Sequence, residues 1–103
     1  MSRGTQLRWS LRARNDLVAI ARFIASDDPA AARAWVEKLR GQARRAASTP
    51  LTGRRVPEVG RDDIREVLLR HYRIVYRVEP RGIVVLTVFE GHRLFPREPL
   101  PED

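Results

Sequence analysis

Between Ile64 and Arg93 the chain reads IREVLLRHYRIVYRVEPRGIVVLTVFEGHR, three apolar runs of period two with only short breaks between them. Such alternation puts successive side chains on opposite faces of a strand, so the segment predicts a three-stranded antiparallel meander. In the middle run Tyr72, Ile74, Tyr76 and Val78 share one parity, while Arg73, Arg77 and Glu79 take the other. That strand is expected to be buried on one face and wetter on the opposite one. From Ile83 to Phe89 both parities are apolar or nearly so, as in a strand covered on both faces, which makes the last run central. Glu79-Pro80-Arg81-Gly82 supplies the Pro and Gly of a hairpin turn. Arg70 and His71 leave only a tight or bulged link between the first two runs.

Upstream the period changes. Leu7 and Trp9 share a parity in Gln6–Ser10, a short strand expected to join the sheet. Ser10 is placed to cap a helix whose stripe is Leu17, Ile20, Ala21 and Ile24 and which ends near Ser26. Asp28 and Pro29 are suited to be the cap and first residue of a second helix, running to about Ser48. Its stripe is Ala32, Trp35, Val36, Leu39, Ala43 and Ala46, with Trp35 read as the large anchor of the helix–sheet interface. Turn formers from Ser48 to Gly53 end it, and residues 54–60 lead irregularly to the meander.

The element order is therefore β-α-α-β-β-β, an α+β fold with a helical hairpin packed on one face of a small antiparallel sheet. One core is expected from Leu17, Ile20, Ile24, Trp35, Leu39, Ile74, Tyr76, Val85 and Leu86. A single domain over residues 7–96 is expected, with 1–6 and 97–103 as flexible tails. The last strand poses a problem, because helices on one face leave its other apolar face in water. Leu94, Phe95 and Leu100 of the tail, a second copy of the chain, or a different protein are the candidates to cover it.

The absence of cysteine excludes a disulfide framework or a thiolate metal site and suits a reducing cytoplasm. No apolar run approaches the roughly 20 residues of a membrane span, and the first residues lead into no signal-peptide core, so a cytoplasmic protein without a membrane partner is expected. The net charge is +7, and all but one of the 20 basic residues are Arg. That balance attracts phosphate backbones or acidic protein partners.

No glycine-rich phosphate loop, His-x-x-x-His pair or acidic loop occurs, so neither cofactor nor metal is expected. One cluster bears on chemistry: Arg65, His71, Arg73, Glu90, His92 and Arg93, which a meander brings to neighbouring strand ends. Arginines hold phosphate and stabilise developing charge, and Glu90 or His92 would move a proton, the parts of metal-free RNA cleavage. The same residues also read as strand-face charges and a His at a strand exit that meets water.

A series of short motifs runs along the chain: Leu7-Arg8-Trp9-Ser10, Asp16-Leu17 with Ile20-Ala21, the helix from Pro29 with Ala32 and Leu39, and Pro50-x-x-Gly53-Arg54. It continues with Ile64-Arg65-Glu66, Tyr72-Arg73-Ile74-Val75-Tyr76 and Val88-Phe89-Glu90-Gly91-His92-Arg93. In this order and spacing, over about Leu7 to Arg93, the chain resembles the ParE/RelE toxin superfamily of bacterial type II toxin–antitoxin systems. The resemblance implies a cognate antitoxin whose C-terminal segment wraps and neutralises the toxin. In the RelE-like branch, a ribosome-dependent mRNA endoribonuclease, Arg65, Arg73, Glu90, His92 and Arg93 would be the catalytic candidates. However, Phe95 stands where a Tyr would be more convincing, and Lys38 is the one lysine. The long helical hairpin and the VFEGHR ending look more like the ParE branch, which acts on DNA gyrase by binding, and this is the preferred reading. A non-toxic binding module of the same fold is the third.

Overall fold

In a computed structural model, which describes residues 6–102, the order is β1 (Gln6–Trp9), α1 (Leu11–Ala25), α2 (Pro29–Ser48), β2 (Arg54–Arg55), β3 (Ile64–Leu69), β4 (Tyr72–Glu79) and β5 (Gly82–Glu90). The expected N-terminal tail lies outside the described residues except for Gln6, which opens β1. Both helices start on the residues that the sequence marks. Ser10 Oγ accepts the Ala13 N–H at 3.0 Å, and Asp28 Oδ1 accepts those of Ala30 and Ala31 at 3.1 Å, satisfying donors that a helix start leaves open.

The strand order is β1-β5-β4-β3-β2, with β5 between β1 and β4, as its two apolar faces require. The meander is antiparallel, but the sheet is mixed: β1 runs parallel to β5, with Gln6 opposite Gly82 and Trp9 opposite Val85. Parallel neighbours need a long crossover, and here the helices and three further strands lie between the partners. Gly82, at φ +156°, lets β1 come close, since a Cβ there would overlap the Gln6 carbonyl. At the other edge β2 is two arginines long, a short and charged edge that resists further pairing.

The helical hairpin covers one face, where Leu17, Leu39, Ala43, Ile74, Tyr76, Ile83 and Val85 form the larger core. Tyr76 is fully buried, and its hydroxyl donates to the Pro50 carbonyl at 2.7 Å. Trp35 sits at the rim of this core against Tyr72 and His71 rather than at its centre, which Leu39 occupies.

The second face differs from expectation. Arg73, placed by parity on the wetter side of β4, is buried, and so is Val75 beside it on the same face. The chain itself supplies the cover: Val56 and Val59 from the segment before β3, and Phe95 and Leu100 from the C-terminal segment, pack on Ile64, Val75, Val84, Leu86 and Phe89. Leu94 takes no part and is exposed. Leu86 thus belongs to this second core and not to the helix-side one.

A bulge explains how β5 serves both layers. Val75 pairs with Thr87 but Tyr76 pairs with Val85, so Leu86 is the extra residue. Before it, Ile83 and Val85 face the helices and Val84 the second core; after it, Val88 faces the helices and Phe89 the second core. Side chains around the start of α1 fasten this point. Ser10 Oγ donates to the Leu86 carbonyl at 2.9 Å, while Asp16 Oδ2 accepts from Thr87 Oγ1 at 2.6 Å and the Val88 N–H at 2.9 Å. Replacing Ser10 with alanine removes both a helix cap and a partner of a bulge carbonyl. The expected loss is about 1–3 kcal/mol in a urea titration. A change of a few tenths would mean that water replaces both bonds.

Candidate functional site

The end of β5 and the β3–β4 turn gather four of the sequence-derived candidates. Glu90 Oε2 lies 3.5 Å from His92 Nε2 and 3.9 Å from His71 Nε2, and Glu90 Oε1 lies 3.4 Å from Arg93 Nη2. Both histidines and Arg93 are more than half exposed, so these are loose surface pairs worth little individually. The other two arginines point elsewhere. Arg65 donates from Nε to the Asp62 carbonyl at 2.9 Å and from Nη1 to the Gly53 carbonyl at 2.9 Å, bracing the loop beside β2.

Arg73 is engaged inside the second face. Its Nε donates to Glu66 Oε1 at 2.6 Å, and its terminal nitrogens form a two-bond fork with Glu58 at 2.8 Å each. Phe89 and Phe95 each place a ring centroid within 6 Å of the guanidinium carbon, at 5.2 and 5.6 Å. Arg54 reaches the other oxygen of Glu66 through Nε at 2.5 Å. The hydrogen bonds from Arg73 hold the Glu58 carboxyl down at about 2 against partial burial, and Glu58 in turn raises Arg73.

A lowered folded-state pKa means that Glu58 adds stability above its ordinary value near 4.5, and that this contribution is lost as pH falls towards about 2. Glu58 is 39% exposed, so solvent screening trims the effect. Urea midpoints measured from pH 6 to pH 2 should fall more steeply in the wild type than in Glu58→Gln between those two values. Parallel curves would count against the assignment.

A groove of about 320 Å³ runs between α1 and the far half of β5, lined by Ala19, Ile20, Phe23, Tyr72 and Val88, with Glu90 and Arg93 at its charged end. It exists because β1 stops at Trp9 and the chain turns into α1, leaving β5 without a strand on that side past Val85. Asp16 caps the Val88 N–H there. Burial, then the Glu90 carboxylate, raises the Tyr72 phenol, so it stays protonated at neutral pH. Phe23 is 78% exposed at the groove's lip, and Leu11 and Val18, one above the other on the outer side of α1, are 69% and 47% exposed. The sequence reading missed all three. Their signal was available: large apolar residues off the stripe that Leu17, Ile20 and Ile24 define. Leu11 and Val18 do not line the groove and lie roughly 120–140° round the helix from Phe23, so the apolar lip beside the open side of β5 is Phe23 with Ala19 and Ile20. Among the described residues no group of three metal-ligating side chains occurs, and no helix is long and apolar enough to cross a membrane.

Comparison with known proteins agrees with this architecture. A family model for the ParE toxin of the type II toxin–antitoxin system parDE matches residues 7–95. A Sinorhizobium fredii protein, Y4kP, named as a candidate toxin, is 36% identical over 95 residues, covering 89% of this chain and 94% of its own length. Among solved structures, a chain from the chromosomal ParDE system of P. aeruginosa superposes with a TM-score of 0.69 at 21% identity. The superposition covers 84% of this chain and 96% of that one, a likeness of fold. By the family match over most of its length and the identity to Y4kP, the chain belongs to the ParE toxin family of type II toxin–antitoxin systems.

Proposed function

We propose that this toxin acts in the cytoplasm by binding rather than by catalysis, inhibiting DNA gyrase, and that a cognate antitoxin neutralises it. The observation that carries this is the exposed apolar lip of α1 beside the open side of β5, a surface suited to a protein partner. Because the chain covers its own second sheet face, the antitoxin segment is assigned to the groove between α1 and β5 and not to that face. A net charge of +7 favours an acidic antitoxin. Its association rate should then fall with ionic strength. The toxin domain proper is taken as residues 7–96, with Gln6 and Leu100 packing onto it from either end.

A RelE-like ribonuclease is the second reading, favoured by the meeting of His71, Glu90, His92 and Arg93 at one corner. Against it, Arg65 and Arg73 are committed to internal bonds. The deciding assay takes toxin freed of antitoxin, once with gyrase, ATP and plasmid and once with programmed ribosomes. Lost supercoiling or trapped DNA breaks support the proposal. Ribosomal mRNA cleavage with gyrase untouched overturns it.

A further inference from the structure

The tip of the β3–β4 hairpin has a feature that partner binding through α1 leaves unused. Leu69 pairs with Tyr72, so Arg70 and His71 form a two-residue turn, and Arg70 adopts φ +53°. It is the one non-glycine residue with positive φ among those described. Glycine or asparagine takes that conformation at little cost, whereas a longer side chain is strained in it. Strain retained at a single site is a reason to look for a function there.

The tip borders a shallow concavity of about 290 Å³, lined by Arg54, Arg70, His71, Arg73 and His92 around Gly91. The histidine rings stand 6.4 Å apart. Carboxylates do not cancel this charge evenly. Glu58 and Glu66 are taken up by Arg73 and by the Nε of Arg54, and Glu90 lies between the histidines and Arg93. Among the described residues the terminal nitrogens of Arg54 make no hydrogen bond, although its charge also acts on Glu58, and its side chain is 60% exposed. Arg70 has no carboxylate within 4.0 Å among them; its guanidinium stands 5.7 Å from the centre of the Trp35 ring, which limits where it can swing. A stacked guanidinium, a second with free terminal nitrogens and two exposed imidazoles around a hollow are the donor set for a tetrahedral oxyanion.

We propose that this hollow binds a phosphate group, with Arg70 and Arg54 as the principal contacts and His71 and His92 as flanking donors. The phosphate comes from a nucleic-acid backbone or from a small phosphate compound; the chemistry of recognition is shared. The hollow adjoins the charged end of the α1 groove through Glu90 and shares His71 and His92 with the ribonuclease reading, but its principal contacts Arg70 and Arg54 do not line that groove, so it stands or falls independently of the gyrase reading.

The test is an amide NMR titration of the full chain with pyrophosphate and, separately, with a short DNA duplex. Shifts should saturate and concentrate at Arg54, Arg70, His71, Gly91 and His92. The R70G variant relieves the backbone, so it should melt no lower than the wild type. It should nevertheless bind pyrophosphate at least about tenfold more weakly, as loss of a charge-assisted hydrogen bond implies. Saturation at this site by the duplex, weakened by salt, assigns the phosphate to nucleic acid; saturation by pyrophosphate alone assigns it to a small molecule. Shifts spread evenly over arginines on every face, or R70G binding as tightly as the wild type, would overturn the proposal.

Discussion

Replacing Glu66 with alanine is expected to destabilise the protein by about 3–5 kcal/mol, the range for breaking a buried ion pair by removing one partner. The Glu66 side chain is fully buried, and the Arg73 side chain it holds is 8% exposed. Without Glu66 the Nε–H of Arg73 has no acceptor, and half of the carboxylate field around a charge lodged against two phenyl rings is gone. Glu66→Gln keeps the shape and one acceptor oxygen, so its loss should be smaller. The double replacement Glu66→Leu with Arg73→Met should cost least, since it removes both buried charges and returns Arg54 and Glu58, already 60% and 39% exposed, to water. Urea denaturation of the four proteins checks the ranking. A Glu66→Ala loss below about 1 kcal/mol would mean that solvent reaches Arg73 and replaces the carboxylate.

What the sequence disclosed was what neighbours along the chain decide. Ser10, Asp28 and Pro29 mark helix starts because capping is settled within four residues, and the meander shows because alternation is local. Long-range coverage does not show. Arg73 reads as a wet-face residue because nothing in β4 announces that Val56 and Phe95 will lie over that face. Leu86 went to the wrong layer because one parity rule was applied to two core layers, and the bulge at the same residue reverses that parity further along β5. Leu7 and Trp9 gave a strand but not its partner or direction, which depend on where the chain returns some 75 residues later. The candidate site divides in the same way. Residue type selected all six charged groups, and four of them do meet. Arg65 and Arg73 were indistinguishable from them until their internal acceptors were in view. Phe23 escaped because it looked like noise on an otherwise regular stripe.

That residue gives the sharpest test of the groove. Phe23 is 78% exposed and adds little to the core, so Phe23→Asp should unfold at nearly the same urea concentration as the wild type. Binding is another matter. A large aromatic at the lip of a groove is the type of residue that dominates interfaces, and an aspartate there would place a charge against the partner's apolar side chain. The proposed partner is itself acidic, so the new carboxylate also repels it. We expect antitoxin affinity to fall by a factor of roughly 30–1000, corresponding to about 2–4 kcal/mol. Phe23→Ala should lose less, because it removes the contact without adding the charge. Leu68→Asp serves as the control, since Leu68 is also exposed but lies on β3, at the far side of the sheet. Calorimetric titration of each variant with the proposed antitoxin separates the cases. If Phe23→Asp binds within threefold of the wild type while Leu68→Asp binds poorly, the partner lies across the β3 side and the groove beside α1 is not its seat.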